Sequence, residues 1–218
     1  MTLVLDESIA LFSQTLHLQY TYTMTKQLNT APTVVLLCYG SSVGGSEAPP
    51  VSVTYGGEDM TLIGTHGSGN LTRRIYALVN PPSGIQDCVI TIPTGAGYYN
   101  IFGTLTSYSG SSVESISTSS NGYGLYDPMV SFGAHTNSLL HVFSQFFGFV
   151  NRFDSANGVE LGRWQSNQLG AAYELAGGSG NIDWDFAGES PLSLSVVVEI
   201  MPVAVIPVRK KFPFRMAM

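Results

Sequence analysis

Asp183 and Asp185 flank Trp184, and Glu160, Glu174 and Glu189 lie close by in the chain. Two carboxylates about 5 to 5.5 Å or about 6.5 to 9.5 Å apart across a sugar would suit glycoside hydrolysis. If the segment is a strand, Asp183 and Asp185 share one of its faces, because side chains alternate along a strand. Acids beside an indole also suit a sugar or Ca²⁺ contact; solvated loop acids beside an anchoring Trp are the plainer alternative. Tyr98, Tyr99, Tyr123, Tyr126 and Trp164 add rings in or near loops, where they could stack on sugars, lock into a neighbouring subunit or pack at the edge of a core. Tyr98, Tyr99, Trp164, Trp184, Asp183 and Asp185 are therefore the candidate glycan or partner contacts.

Other chemistry finds less purchase. His17, His66, His135 and His141 lack the H-x-x-x-H or H-x-H spacing of a metal site. No G-x-S-x-G elbow accompanies them for serine hydrolysis. Gly64 to Asn70 contains G-x-x-G-x-G, but no helix pattern follows, so it reads as a flexible turn and not a phosphate cradle. Cys38 and Cys88 sit in apolar runs, as small buried hydrophobes do, and are not expected to form a disulfide. The residues thus predict no enzyme, no cofactor and no metal.

Composition points to contacts with neighbours. Charged residues are 11% of the 218, against about 25% in an ordinary soluble domain, while hydrophobic residues are 44%. A surface of Ser, Thr, Asn, Gly and Tyr costs little to desolvate against another subunit or a sugar. The net charge of −6 argues against a nucleic-acid-binding body. Its distribution is uneven, because Arg209, Lys210, Lys211 and Arg215 hold four of the nine bases, which leaves five bases against fifteen acids in the body. The opening residues show no basic start followed by an apolar run, so no signal peptide is visible and synthesis in the cytoplasm is expected. No apolar stretch reaches the length of a membrane span, about 18 residues.

Strand patterns fill most of the chain. Leu3 to Leu16 hints at a helix or arm. In Thr15 to Thr25, Leu16, Leu18, Tyr20, Tyr22 and Met24 alternate with polar residues, the period of a half-buried strand. Thr33 to Tyr39 is apolar throughout, as in a strand buried on both faces. Gly56-Gly57 reads as a tight hairpin turn between Val51–Tyr55 and Met60–Ile63. Asn80-Pro81-Pro82-Ser83-Gly84 stops the strand before it, since two prolines fix φ and remove donors. Ser109 to Asn121 reads as an exposed excursion and Asn157-Gly158 as a hairpin turn, while Leu192 to Ile200 is the closing strand, with Leu194, Val196 and Val198 inward. About ten short strands with Gly, Pro and Asn turns indicate an all-β, antiparallel β-sandwich.

The runs VSVTYGGEDMTLIG (Val51 to Gly64) and RRIYALVNPPSGIQDCVITI (Arg73 to Ile92) resemble a β-sandwich domain, jelly-roll or immunoglobulin-like, of phage virion proteins and bacterial surface or secreted proteins. FGTLTSYSGS, SFGAHTNSLLHVFS and LSLSVVVEIMP are compatible with its later strands. The resemblance implies a sandwich over 14–202 and no catalytic residues, with 1–13 as an N-terminal arm and 203–218 as a basic, apolar C-terminal arm that departs from the family. Val205, Ile206, Arg209, Lys210, Lys211, Phe212, Phe214 and Arg215 are the expected assembly contacts of that arm. The expected function is structural, in a virion: a capsid decoration, minor capsid, collar or tail protein that forms homo-oligomers and touches other virion proteins. The alternative is a carbohydrate-binding or adhesin module. No membrane partner is expected, and nucleic acid could be touched only through the C-terminal segment.

Overall fold

The computed structural model describes residues 4–16, 21–28, 34–43, 50–68, 71–93, 99–109, 111–124, 130–131, 139–146, 150–154, 158–164, 169–174, 181–186 and 193–202, with side chains described at 21–25, 34–40, 50–65, 73–93, 103–109, 141, 143 and 200. The described residues form an antiparallel β-sandwich without helices. In chain order the strands are β1 (Val4–Leu16), β2 (Thr21–Leu28), β3 (Val34–Val43), β4 (Ser52–Tyr55), β5 (Glu58–Asp59), β6 (Thr61–Ser68), β7 (Leu71–Val79), β8 (Gly84–Thr91) and β9 (Tyr99–Ser109). They continue as β10 (Ser111–Gly124), β11 (Val130–Ser131), β12 (Leu139–Phe146), β13 (Val150–Asp154), β14 (Gly158–Trp164), β15 (Leu169–Glu174), β16 (Asn181–Phe186) and β17 (Ser193–Pro202).

A central sheet runs β1-β9-β3-β7-β6 and a smaller one β2-β8-β4-β5. The remaining strands form the sheets β10-β17-β12-β15-β14 and β11-β16-β13. Every side chain from Val34 to Tyr39 is at most 1% exposed, so β3 is buried on both faces, as its unbroken apolar run predicts. Val35, Leu37 and Tyr39 join Tyr76 and Leu105 on one face of the central sheet. This face packs on Met24, Val53, Tyr55, Cys88, Ile90 and Ile92 of the four-stranded side.

The other face carries Val34, Leu36 and Cys38, in register with Tyr108, Thr106 and Thr104 of β9. Tyr108 there reaches His141 of β12, and Phe143 and Ile200 of the same second five-stranded sheet are also buried. The central sheet is thus covered from both sides.

The alternation expected for the strand around Met24 holds where side chains are described: Met24 is buried and Tyr22 half-buried, while Thr21, Thr23 and Thr25 are exposed. The side chains of Leu16, Leu18, Tyr20, Leu194, Val196 and Val198, expected in the core, lie outside those described. Both cysteines are buried and free, as expected.

Five local readings are corrected. Leu3 to Leu16, which hinted at a helix or arm, contains the strand β1, paired along its length with β9 and crossing the expected boundary at residue 13/14. Thr15 to Thr25, expected as one strand, is shared between two sheets: its start lies in β1, paired with β9, and its end in β2, paired with β8. Ser109 to Asn121 is no excursion but most of β10, whose backbone pairs with β17 despite its hydroxyl-rich sequence. Gly64 to Ser68, expected as a flexible turn, continues β6 against β7. Asn157-Gly158 joins strands that do not pair with each other, since β13 pairs with β16 and β14 with β15.

The Gly56-Gly57 hairpin is as expected. Its φ values of 59° and 82° are both positive, the requirement of the two-residue turn that matches strand twist. Thr54 and Tyr55 pair with Asp59 and Glu58, and the Met60 amide donates to the Val53 carbonyl at 2.9 Å. This turn rests on the Asn80–Gly84 segment. A Cβ on Gly56 would overlap Cγ of Pro82 and come within 3.0 Å of Gln86 Oε1, whereas one on Gly57 would meet nothing within 4 Å. Gln86 Nε2 donates to the Ser83 carbonyl at 2.9 Å, which ties the second turn to β8. Asn80 takes φ of 50°, a left-handed conformation that Asn tolerates better than most residues.

Both turns therefore act on folding, and substitution separates strain from overlap. Gly57→Ala should cost about 1 kcal/mol from φ alone and Gly57→Val roughly 1 to 3 kcal/mol. Gly56→Ala should cost about 1 kcal/mol or more beyond Gly57→Ala, because Pro82 must also move. Urea unfolding midpoints in the order wild type, Gly57→Ala, Gly56→Ala check this; equal midpoints for the two alanine variants would show that the turns do not pack together.

Candidate functional site

The face of the four-stranded sheet turned away from the core is set by register. Thr21, Thr23 and Thr25 of β2 stand opposite Thr91, Val89 and Asp87 of β8, and Ser52 and Thr54 of β4 opposite Thr91 and Val89. The period-2 alternation that buries Met24, Cys88 and Ile90 thus presents a row of hydroxyls outward. Thr25 Oγ1 donates to Asp87 Oδ1 at 2.6 Å, joining residues 62 positions apart.

At the hairpin end of this face lies an open depression of about 570 Å³, lined by Thr25, Thr54, Gly57, Ile85, Asp87 and Val89, with Gly56 and Gln86 at its wall. The Gly56 amide donates to the Asp87 carbonyl at 2.9 Å, so the turn closes one side of the depression. Ile85 is 64% exposed within it. Glu58 and Asp59 stand exposed on the adjoining hairpin. Among the residues whose exposure is described, the exposed charges are Glu58, Asp59 and Asp87, all acidic, while Arg73 and Arg74 are buried. A carboxylate, hydroxyls and an exposed aliphatic side chain can hold a cationic, partly apolar segment or a hydroxylated ligand.

The described cysteines offer no nucleophile to this surface. Burial pushes the Cys38 thiol up to about 12, with the Thr104 hydroxyl beside it pulling weakly the other way, and burial alone pushes Cys88 up to about 12. The thiolate, which is the reactive form, is thereby suppressed. Burial first and the neighbouring Cys88 second also raise Tyr22. Among the described residues, no three His, Cys, Asp or Glu side chains come together as a metal-ligand set.

A second polar feature lies between the layers. Tyr108 Oη and His141 Nδ1 are 2.6 Å apart, a hydrogen bond in either ring tautomer, and the rings meet edge to face. His141 is fully buried, and its Nε2 has no partner among the described residues. Loss of hydration lowers its pKa to about 4, so it is neutral near pH 7.

The candidates read from sequence fall in several places. Asp183, Trp184 and Asp185 are in the strand β16, the condition for the two aspartates to share a face, with Asp154, Phe153 and Arg152 of β13 at the opposing positions. Trp164 is in β14 and Tyr99 in β9, in two further sheets, so the structure does not gather the aromatic candidates on one sheet. Glu160 and Glu174 are in adjacent strands, β14 and β15. Tyr98, Tyr123's and Tyr126's side chains, Glu189, and Val205, Ile206, Arg209, Lys210, Lys211, Phe212, Phe214 and Arg215 lie outside what is described. Sequence reading passed over Thr25, Ile85 and Asp87, which no local motif marks. It treated His141 only as a metal candidate, although a single imidazole within the apolar run LLHVF was a signal of burial.

No family model, curated protein or solved structure matches this chain.

The buried imidazole sets a pH dependence. Its folded pKa lies below the unfolded value of about 6.5, so between those values the unfolded chain binds more protons. The stability from neutral His141 is complete above pH 6.5 and is lost as pH falls toward about 4, up to about 3 kcal/mol in all. His141→Gln cannot take up that proton. Its urea midpoint should fall less steeply than that of the wild type between pH 6.5 and 4; parallel curves would mean that His141 is not held neutral.

Proposed function

We propose that the chain is a structural component of a virus particle, of the capsid-decoration, minor-capsid, collar or tail kind, that works through contacts with other copies and other virion proteins. It acts by surface packing and not by catalysis. The observation that carries this reading is the character of the exposed surface. Val51, Leu62, Val79 and Ile85 are large apolar side chains left 44 to 70% exposed among hydroxyl residues, with acids as the described exposed charges. Such a surface loses little on desolvation and gains from burial against a neighbour. The likeness of the Val51–Gly64 and Arg73–Ile92 motifs to a virion β-sandwich domain supports the same reading, as does low overall charge.

Segment 203–218 serves as the assembly arm. Pro207 and Pro213 disfavour helix, Val205, Ile206, Phe212 and Phe214 supply apolar anchors, and Arg209, Lys210, Lys211 and Arg215 supply positive charge toward an acidic body. Removing 203–218 should leave a folded, soluble sandwich with an unchanged β-sheet circular dichroism spectrum that no longer enters its oligomer or particle. A truncated chain that assembles as well as the intact one defeats the arm.

The strand β16 supports a second reading, attachment to glycans, because it sets Asp183 and Asp185 at alternate positions about Trp184. Glycan-array binding at micromolar strength that disappears in Trp184→Ala would favour this reading; an array without signal removes it.

A further inference from the structure

We propose that the depression at the hairpin end of the four-stranded sheet is the dock for segment 203–218 of a second copy of the chain. The proposal rests on the assembly-arm reading and adds the surface that receives the arm.

Charge complementarity selects the occupant. Asp87 lines the depression and Asp59, paired with the lining residue Thr54, stands exposed on the same face of the hairpin, while the arm holds four of the chain's nine bases and no acid. The two bodies cannot supply this attraction by themselves. With five bases against fifteen acids each, they repel one another, and a basic segment reaching across offsets that repulsion.

The apolar content matches as well. Bases and aromatics run together in Arg209-Lys210-Lys211-Phe212-Pro213-Phe214-Arg215, and the depression likewise sets exposed Ile85 and half-buried Val89 beside a carboxylate. Phenylalanine on Ile85 with lysine or arginine at Asp87 and Asp59 would remove apolar surface from water while leaving the charges at a wet rim. There they steer and register the contact more than they strengthen it. The arm of one copy in the dock of the next would make a head-to-tail contact, which closes into rings or extends as open filaments of identical subunits.

A charge exchange in the full-length chain tests this. Asp59→Lys with Asp87→Lys should raise the concentration for half-assembly roughly tenfold, as should Lys210→Glu with Lys211→Glu. The four substitutions combined should restore assembly toward wild type, which general damage to folding could not do. Assembly is followed by sedimentation velocity, and raising salt should weaken the wild-type contact. If the arm reversal disrupts assembly but the acid reversal does not, or if the combined variant is no better than either pair, the arm reading stands and this dock is wrong. If the arm reversal is harmless or the wild type stays monomeric at every concentration, both fall. If the arm reversal frees the segment to protease in a chain that remains monomeric, the arm docks on its own body and the second copy is excluded.

Discussion

Burial of β3 on both faces is the constraint on which the rest of the architecture depends. Its run of Val, Val, Leu, Leu, Cys and Tyr offers no polar face, so the sheet that contains it must be covered twice. At roughly 1.5 to 3 kcal/mol for each large apolar side chain withdrawn from water, β3 alone contributes on the order of 10 kcal/mol. That is comparable with the whole net stability of a domain, about 5 to 15 kcal/mol. Uncovering either face would forfeit a large share of it. The four-stranded sheet on one side and the second five-stranded sheet on the other are therefore both required by the same six residues.

The two covered faces differ in chemistry. Toward the four-stranded sheet the contacts are almost wholly apolar, from Val35 and Leu37 to Ile90 and Ile92. Toward the other sheet, Thr104, Thr106, Tyr108 and His141 are buried among Val34, Leu36 and Ile75. Apolar contacts tolerate sliding, whereas a hydrogen bond between fully buried groups is made only in one alignment and costs free energy when broken. The 2.6 Å Tyr108–His141 bond thus fixes how the layers meet, and apolar burial supplies most of the attraction.

Where a segment's own residues determine its structure, the sequence was legible. An apolar run without alternation announced β3, Tyr22 and Met24 against threonines announced a half-buried strand, and paired glycines announced a turn with positive φ. Where pairing with a distant strand decides, it was not. The Ser-rich β10 carries few side chains that demand burial, and its backbone is satisfied by β17 some eighty residues later, so local composition alone resembles a loop. An Asn-Gly dipeptide reports that the chain reverses, not which strand it joins. The candidate site was illegible for the same reason: Thr25 and Asp87 meet only through the register of β2 with β8, and Ile85 gains meaning only beside the hairpin that walls the depression.

Turn and dock are built from the same atoms. Gly56 lacks a side chain where Pro82 and Gln86 press closest, and the close approach this allows sets the wall of the depression against Asp87. Residues that fold the hairpin therefore also shape the surface beside it, and removing them disturbs stability and recognition together. Charge is the property that comes apart from shape here. Asp59 is exposed on a strand of two residues, and Asp87 lines the depression while its backbone, not its side chain, holds the turn. Reversing those two carboxylates leaves the backbone contacts of the fold in place and gives up one exposed side-chain hydrogen bond, from Thr25 Oγ1 to Asp87 Oδ1, so electrostatics, more than packing, is the variable through which this surface would choose a partner.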